Sequence, residues 1–76
     1  MKHEGWITRN PAVMVGKPCI KGTRITVELI FRKLSEGASV EELLEDYPHI
    51  TRESILACFD YAKAIITHEE VVELSV

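Results

Sequence analysis

The sequence has few aromatic residues, only two cysteines and no long apolar run. Of its 76 residues, 7% are aromatic, although 46% are hydrophobic. A chain of this length forms one small domain with a limited core. Because small domains often need stabilisation from outside that core, self-association is the source we expect here.

The scarcity of cysteine excludes a structural zinc site, which needs about four ligands at close spacing. Cys19 and Cys58 stand far apart, so we predict no metal and no cofactor, and we expect both thiols to pack as small core residues. An oxidising compartment would permit a disulfide between them. Residues 1–6 lack the apolar region of a signal peptide, and no run approaches the roughly 20 residues of a membrane span. We therefore expect a cytoplasmic protein with reduced cysteines.

The net charge of −3 conceals an uneven distribution. Residues 1–25 contain five basic residues and one acidic residue, whereas residues 26–76 contain four basic and eleven acidic residues. This asymmetry indicates two surfaces with different partners. Alternatively, the opposite charges attract each other within the fold or within a dimer.

The most specialised stretch is residues 16–27, which we call the basic segment. It contains two glycines, a proline and three basic side chains, with no acidic residue. It is not a phosphate-binding P-loop, because the first glycine and the Ser or Thr after the lysine are missing. Short apolar runs at residues 13–15 and 19–20, and alternation at residues 24–27, predict very short strands or extended arms.

Three helices follow, each with its own boundary signal. Thr26 is a suitable N-cap for the first helix and Gly37 a suitable terminator. Ser39 and Glu42 have capping-box spacing for the second helix, and Thr51 caps the third. The predicted apolar stripe of the first helix is Val27, Ile30, Phe31 and Leu34; that of the third is Ile55, Phe59, Ala62 and Ile66, with Cys58 and Ile65 beside them.

These elements predict a single, mainly α domain over residues 1–76. A basic extended or β arm (residues 1–25) precedes a three-helix bundle (residues 26–66) with a helix-turn-helix, and an acidic tail (residues 67–76) follows. The tail extends the third helix, forms a separate turn or docks on a partner chain.

Two surfaces are candidates for DNA contact. At the start of the third helix, Arg52 is the basic candidate, but the acidic second helix would repel phosphate. The basic segment offers Lys17, Lys21 and Arg24, with Gly16 and Gly22 as positions where backbone N–H groups could approach a phosphate. The competing interpretation is that Gly22 only forms a turn and Arg24 pairs with the acidic residues of the second helix.

Enzyme chemistry has little support, and we predict that the chain is not an enzyme. His3, His49 and His68 are scattered, and no Ser-His-Asp or Cys-His arrangement is evident. The acidic residues of the second helix are best explained as a solvated face.

Several motifs together resemble one known family. They are Asn10-Pro11, Gly16-Lys17-Pro18-x-Ile20-x-Gly22-Thr23-Arg24-Ile25-x-Val27, Gly37, Ser39-Val40-Glu41-Glu42-Leu43 and Asp46-Tyr47-Pro48-x-Ile50-Thr51. Over about residues 7–64 the chain resembles domain-of-unknown-function family 433. The chain departs from the pattern of that family at Val15, where family members frequently have a further glycine.

The resemblance implies a homeodomain-like helix-turn-helix and the role of antitoxin in a type II toxin–antitoxin pair. By that resemblance the chain forms a homodimer, binds a PIN-like nuclease toxin and represses its own promoter. The alternative is a small protein–protein interaction module with no nucleic-acid role. The candidate DNA-binding residues are Lys17, Lys21, Arg24, Arg52 and Lys63, and the candidate toxin-binding residues are Glu69, Glu70, Val71, Val72, Glu73 and Leu74.

Overall fold

A computed structural model describes the backbone of residues 5–74 and the side chains of residues 5–67. It is mainly helical, with three helices preceded by a two-stranded antiparallel ribbon, as the sequence predicts. In chain order the elements are β1 (Ile7–Thr8), a 3-10 turn (Met14–Gly16), β2 (Cys19–Ile20), α1 (Val27–Ser35), α2 (Val40–Asp46) and α3 (Arg52–Leu74).

Side-chain caps fix the start of each helix. The Thr26 hydroxyl accepts a hydrogen bond from the Leu29 N–H at 2.9 Å. Ser39 and Glu42 form a complete capping box, with bonds of 3.1 and 2.8 Å. At α3 the pairing is again reciprocal, because the Ser54 N–H donates to the Thr51 hydroxyl and the Thr51 N–H donates to the Ser54 hydroxyl. The predicted starts of the three helices are therefore confirmed.

The core lies where the ribbon and all three helices meet. Ile30, Leu43 and Cys58 are fully buried. Cys19 is also buried, and both cysteines are free thiols. The prediction that they act as small core residues is confirmed. The core cluster consists of Ile20, Val27, Ile30, Leu43, Ile50, Ile55 and Cys58.

The ribbon differs from the prediction in its first strand. β2 pairs with β1, in the register Ile7 opposite Ile20, and residues 13–15 form no strand. The chain turns there instead, because the Gly16 N–H donates to the Val13 carbonyl and the Lys17 N–H donates to the Met14 carbonyl. The alternating residues 24–27 contribute only an isolated bridge between Cys19 and Thr26 before α1 begins.

The ribbon is covered by α3. A two-residue pairing is marginal in water on its own, and β1 contacts α3 directly. Ile7 is half-buried against the core. The Val27 N–H donates to the Pro18 carbonyl at 2.9 Å, which holds the beginning of the basic segment beside the first residue of α1.

The 3-10 turn contains a strained residue, and this leads to a stability prediction. Val15 has φ 56° and ψ 34°, in the left-handed region that β-branched residues disfavour. Its side chain is 92% exposed, so truncating it loses almost no burial. We expect Val15→Gly to raise the free energy of unfolding by about 0.5–1 kcal/mol and the melting temperature by several degrees, as measured by circular dichroism.

Val13→Gly is the matched control, because Val13 has an ordinary extended backbone with φ −123°. At that position glycine relieves no strain; it adds unfolded-state entropy and removes a half-buried side chain, so Val13→Gly should lower the melting temperature. A similar fall in both variants would contradict the assignment of strain to Val15.

Candidate functional site

The basic segment is held in place by its own hydrogen bonds. After β2 the chain reverses at Gly22, which has φ 80°. The Thr23 hydroxyl donates to the Ile20 carbonyl at 2.7 Å and accepts from the Ile25 N–H at 3.0 Å. The segment is therefore a fixed turn that leads into α1 and presents its basic side chains outward.

The three basic residues of this segment lie in different surroundings. The Lys17 ammonium lies 3.0 Å from a Glu28 carboxylate oxygen. The Lys21 side chain is exposed, and its backbone N–H donates to the Trp6 carbonyl at 2.7 Å. Arg24 is exposed at the edge of two cavities. Within the described residues, no ion pair joins Arg24 to α2. The alternative prediction, that Arg24 pairs with the acidic residues of the second helix, is therefore wrong.

The predicted role of Gly16 as a backbone contact for phosphate is also wrong. We expected Gly16 to leave its backbone N–H free for a phosphate, but that N–H donates to the Val13 carbonyl at 3.0 Å. The Gly16 carbonyl is engaged too, because it accepts from Arg9 Nε at 3.0 Å. Gly16 therefore offers no backbone N–H to a phosphate.

Two cavities flank Arg24. The larger has a volume of about 390 Å³ and is lined by Thr8, Asn10, Val13, Cys19, Gly22, Thr23 and Arg24. The smaller has a volume of about 200 Å³ and is lined by Met14, Lys17, Arg24, Thr26, Glu28, Leu29 and Arg32. Arg24 is thus the basic residue that both cavities share.

The two basic candidates on α3 lie in different surroundings. Arg52 donates a 2.7 Å hydrogen bond to a Glu41 carboxylate oxygen, and this hydrogen bond is the main cause that lowers the pKa of Glu41. Arg52 therefore neutralises part of the acidic α2 surface. Lys63 is exposed three turns further along α3.

The predicted buried face of α3 is partly wrong. Ile55 and Cys58 are buried, but Phe59 is 43% exposed and Ile66 is 64% exposed. Ile65 is also exposed. The physical reason is length, because α3 has 23 residues whereas α1 and α2 have nine and seven. The two short helices cover only the first part of α3.

The acidic tail continues the third helix. The backbone of α3 runs without interruption to Leu74, which answers the question that the sequence left open. The side chains of the candidate toxin-binding residues lie outside the described residues. They are Glu69, Glu70, Val71, Val72, Glu73 and Leu74.

The sequence did not predict the roles of Glu28 and Arg32. Both are on α1, four residues apart and therefore on neighbouring turns of one face. The spacing could have indicated that they lie side by side. Their position beside Lys17 and Arg24 depends on how the basic segment folds back, which no local pattern shows.

Among the residues that the structure describes, no group of three or more His, Cys, Asp or Glu side chains could hold a metal ion. Burial raises the pKa of the Cys58 thiol to about 11, so this thiol stays protonated near neutral pH. No helix within residues 5–74 is long and apolar enough to cross a bilayer.

Comparison with known proteins gives consistent matches. The profile of the family described as "Protein of unknown function (DUF433)" matches residues 7–62. "Uncharacterized protein y4eO" of Sinorhizobium fredii (strain NBRC 101917 / NGR234) is 34% identical over 58 residues, which are 76% of this chain. The crystal structure of a DUF433 member protein from Anabaena variabilis ATCC 29413 is similar, with a TM-score of 0.75, 34% identity and 78% of this chain covered. The chain spans 26% of the length of the Sinorhizobium protein and 58% of the Anabaena chain.

Proposed function

The chain belongs to the DUF433 family of proteins of unknown function, and from its exposed α3 face, its basic segment and its acidic C-terminal stretch we propose that it is the antitoxin of a type II toxin–antitoxin pair. In this proposal it forms a homodimer, binds a PIN-like nuclease toxin and contacts its own promoter DNA. It has no enzymatic activity of its own.

The observation that supports the proposal best is the exposed apolar face on α3. Phe59, Ile65 and Ile66 are each at least 40% exposed, although a helix normally buries its apolar stripe. Contiguous apolar surface of this kind marks protein–protein contact sites. We assign the stripe of Phe59, Ala62 and Ile66, which we call the α3 stripe, to contact with a second copy of the chain.

Toxin binding is assigned to residues 67–76. This stretch contains three glutamates and no lysine or arginine, and residues 67–74 continue the helix beyond the α3 stripe. A nuclease needs a basic groove for its nucleic-acid substrate, and an acidic helix complements such a groove.

Deletion of residues 67–76 tests this assignment. We expect the shortened chain to lose co-purification with the co-expressed nuclease toxin, because the acidic segment is removed, while it remains a dimer by size-exclusion chromatography. A finer variant replaces Glu69, Glu70 and Glu73 by glutamine. Its matched control makes the same change at Glu36, Glu45 and Glu53, which are exposed elsewhere on the bundle. Unchanged co-purification of the deleted chain would overturn the assignment.

The second candidate is an interaction module with no nucleic-acid role. The pairing of Arg52 with Glu41 favours it, because Arg52 is the basic residue at the start of α3. The two functions differ in salt dependence. Contacts with phosphates give an affinity that falls steeply with salt, whereas the interaction module predicts no DNA binding at any salt concentration.

A further inference from the structure

The smaller cavity has a strongly positive lining. It lies where the 3-10 turn and both ends of the basic segment meet the first two turns of α1. Lys17, Arg24 and Arg32 contribute three positive charges, and Glu28 contributes one negative charge. The cavity therefore has an excess of two positive charges.

Two features of the fold bring these residues together. The bond from the Val27 N–H to the Pro18 carbonyl places the basic segment beside α1. The Thr26 cap then starts the helix, so that Glu28 and Arg32 follow on one face, a turn apart. Lys17 and Arg24 come from the basic segment, and Arg32 comes from α1.

Glu28 is the residue that partly neutralises this cluster. The hydrogen bond from Lys17, then the charge of Lys17 and, to a smaller extent, that of Arg32 lower the pKa of Glu28. The Lys17 and Glu28 side chains are 53% and 67% exposed. Exposed ion pairs of this kind contribute little to stability, so another anion can displace the carboxylate at low cost.

The size of the cavity limits the anion. At about 200 Å³ it is smaller than the roughly 300–1,000 Å³ of pockets that enclose small-molecule ligands. It has room for a single phosphate group but does not enclose a whole nucleotide. Guanidinium groups match phosphate oxygens in a bidentate way, and the cavity has two of them.

We infer that this cavity binds one backbone phosphate of duplex DNA through Arg24 and Arg32, and that Glu28 is an internal competitor for the phosphate. Lys17 also contacts the phosphate once the phosphate has displaced the Glu28 carboxylate from it. This inference rests on the proposed DNA contact. It adds Arg32 to the DNA-binding residues and leaves Lys21 outside the phosphate site.

Fluorescence anisotropy with a short labelled duplex of arbitrary sequence, at about 50 mM salt and upward, tests the inference. We expect Arg24→Gln and Arg32→Gln each to weaken binding by about 3–10-fold and to reduce the salt slope by about 1. Glu28→Gln should strengthen binding by about 3–10-fold, because it removes the competing carboxylate.

Matched controls separate this site from general charge effects. Lys33→Gln removes the same charge from the residue next to Arg32, outside the cavity lining, and Glu36→Gln removes a carboxylate near the end of α1. Both should change affinity less than twofold. Circular dichroism confirms the fold of every variant.

The outcomes distinguish the two levels of the proposal. If the wild-type chain binds the duplex but Arg24→Gln and Arg32→Gln have the same affinity as Lys33→Gln, the phosphate site is wrong and DNA binding stands. If the wild-type chain does not bind the duplex at low salt, the DNA contact and the phosphate site both fail.

Discussion

Leu43→Ala is expected to destabilise this domain by about 2–5 kcal/mol. Leu43 is fully buried, and it belongs to α2, which contacts both α1 and α3. A domain of this length has a total stability of roughly 4–11 kcal/mol, so the substitution removes a large part of it. Urea and thermal unfolding followed by circular dichroism should show a melting temperature lower by at least about 10 °C.

Leu56→Ala provides the control for this experiment. Leu56 is 55% exposed, so the same truncation should change the free energy of unfolding by less than about 1 kcal/mol. Equal effects at the two positions would contradict the location of the core between the three helices.

The second large effect is expected for self-association. Ile66→Asp places a charge on the α3 stripe, where burying an unpaired carboxylate against a second copy costs several kcal/mol. We expect the dissociation constant of the homodimer to rise at least about 100-fold, so that the variant sediments as a monomer in analytical ultracentrifugation. The fold should persist, because Ile66 is 64% exposed in the single chain.

Ala64→Asp is the matched control on the same helix. Two residues correspond to about 200° around an α-helix, so Ala64 faces away from Ile66, and its side chain is exposed. This variant should associate like the wild-type chain. Dimerisation of Ile66→Asp with unchanged affinity would exclude the α3 stripe as the dimer contact.

Local chemistry explains what the sequence could predict of the fold. Thr26, Ser39 and Thr51 each bond to a backbone N–H within three residues, so the signal and its effect lie in the same short stretch. The same holds for Gly37, whose φ of 104° follows the end of α1. Helix number, helix starts and the core positions of both cysteines were therefore predictable.

Long-range arrangement explains the errors. Periodicity shows which residues of α3 share a face, but burial depends on how far α1 and α2 reach along it. Phe59 lies near the limit of their reach, where it makes an edge contact with Phe31 at a ring distance of 5.2 Å. Ile66 lies beyond that limit. Likewise, the pairing of β2 with Ile7–Thr8 depends on the cover that α3 gives to β1.

For the candidate site, composition indicated the basic segment but not its partners. Lys17 and Arg24 were predictable as exposed cations, since the segment contains no acid. That Lys17 would meet Glu28 depends on the fold of residues 16–27 back onto α1, eleven positions further along the chain. Glu28 and Arg32 have the spacing of an ordinary solvated helical pair, and only the folded segment turns them into part of a cavity.

The unequal lengths of the helices have a consequence for how this domain can diversify. The first turns of α3 are fixed by the core, where most substitutions reduce stability, whereas residues 63–67 are all exposed. Substitutions on that exposed part change the surface that is available to binding partners, without a matching loss of folding free energy. A lineage carrying this domain could therefore acquire a new binding partner in single steps, each of which leaves a folded protein.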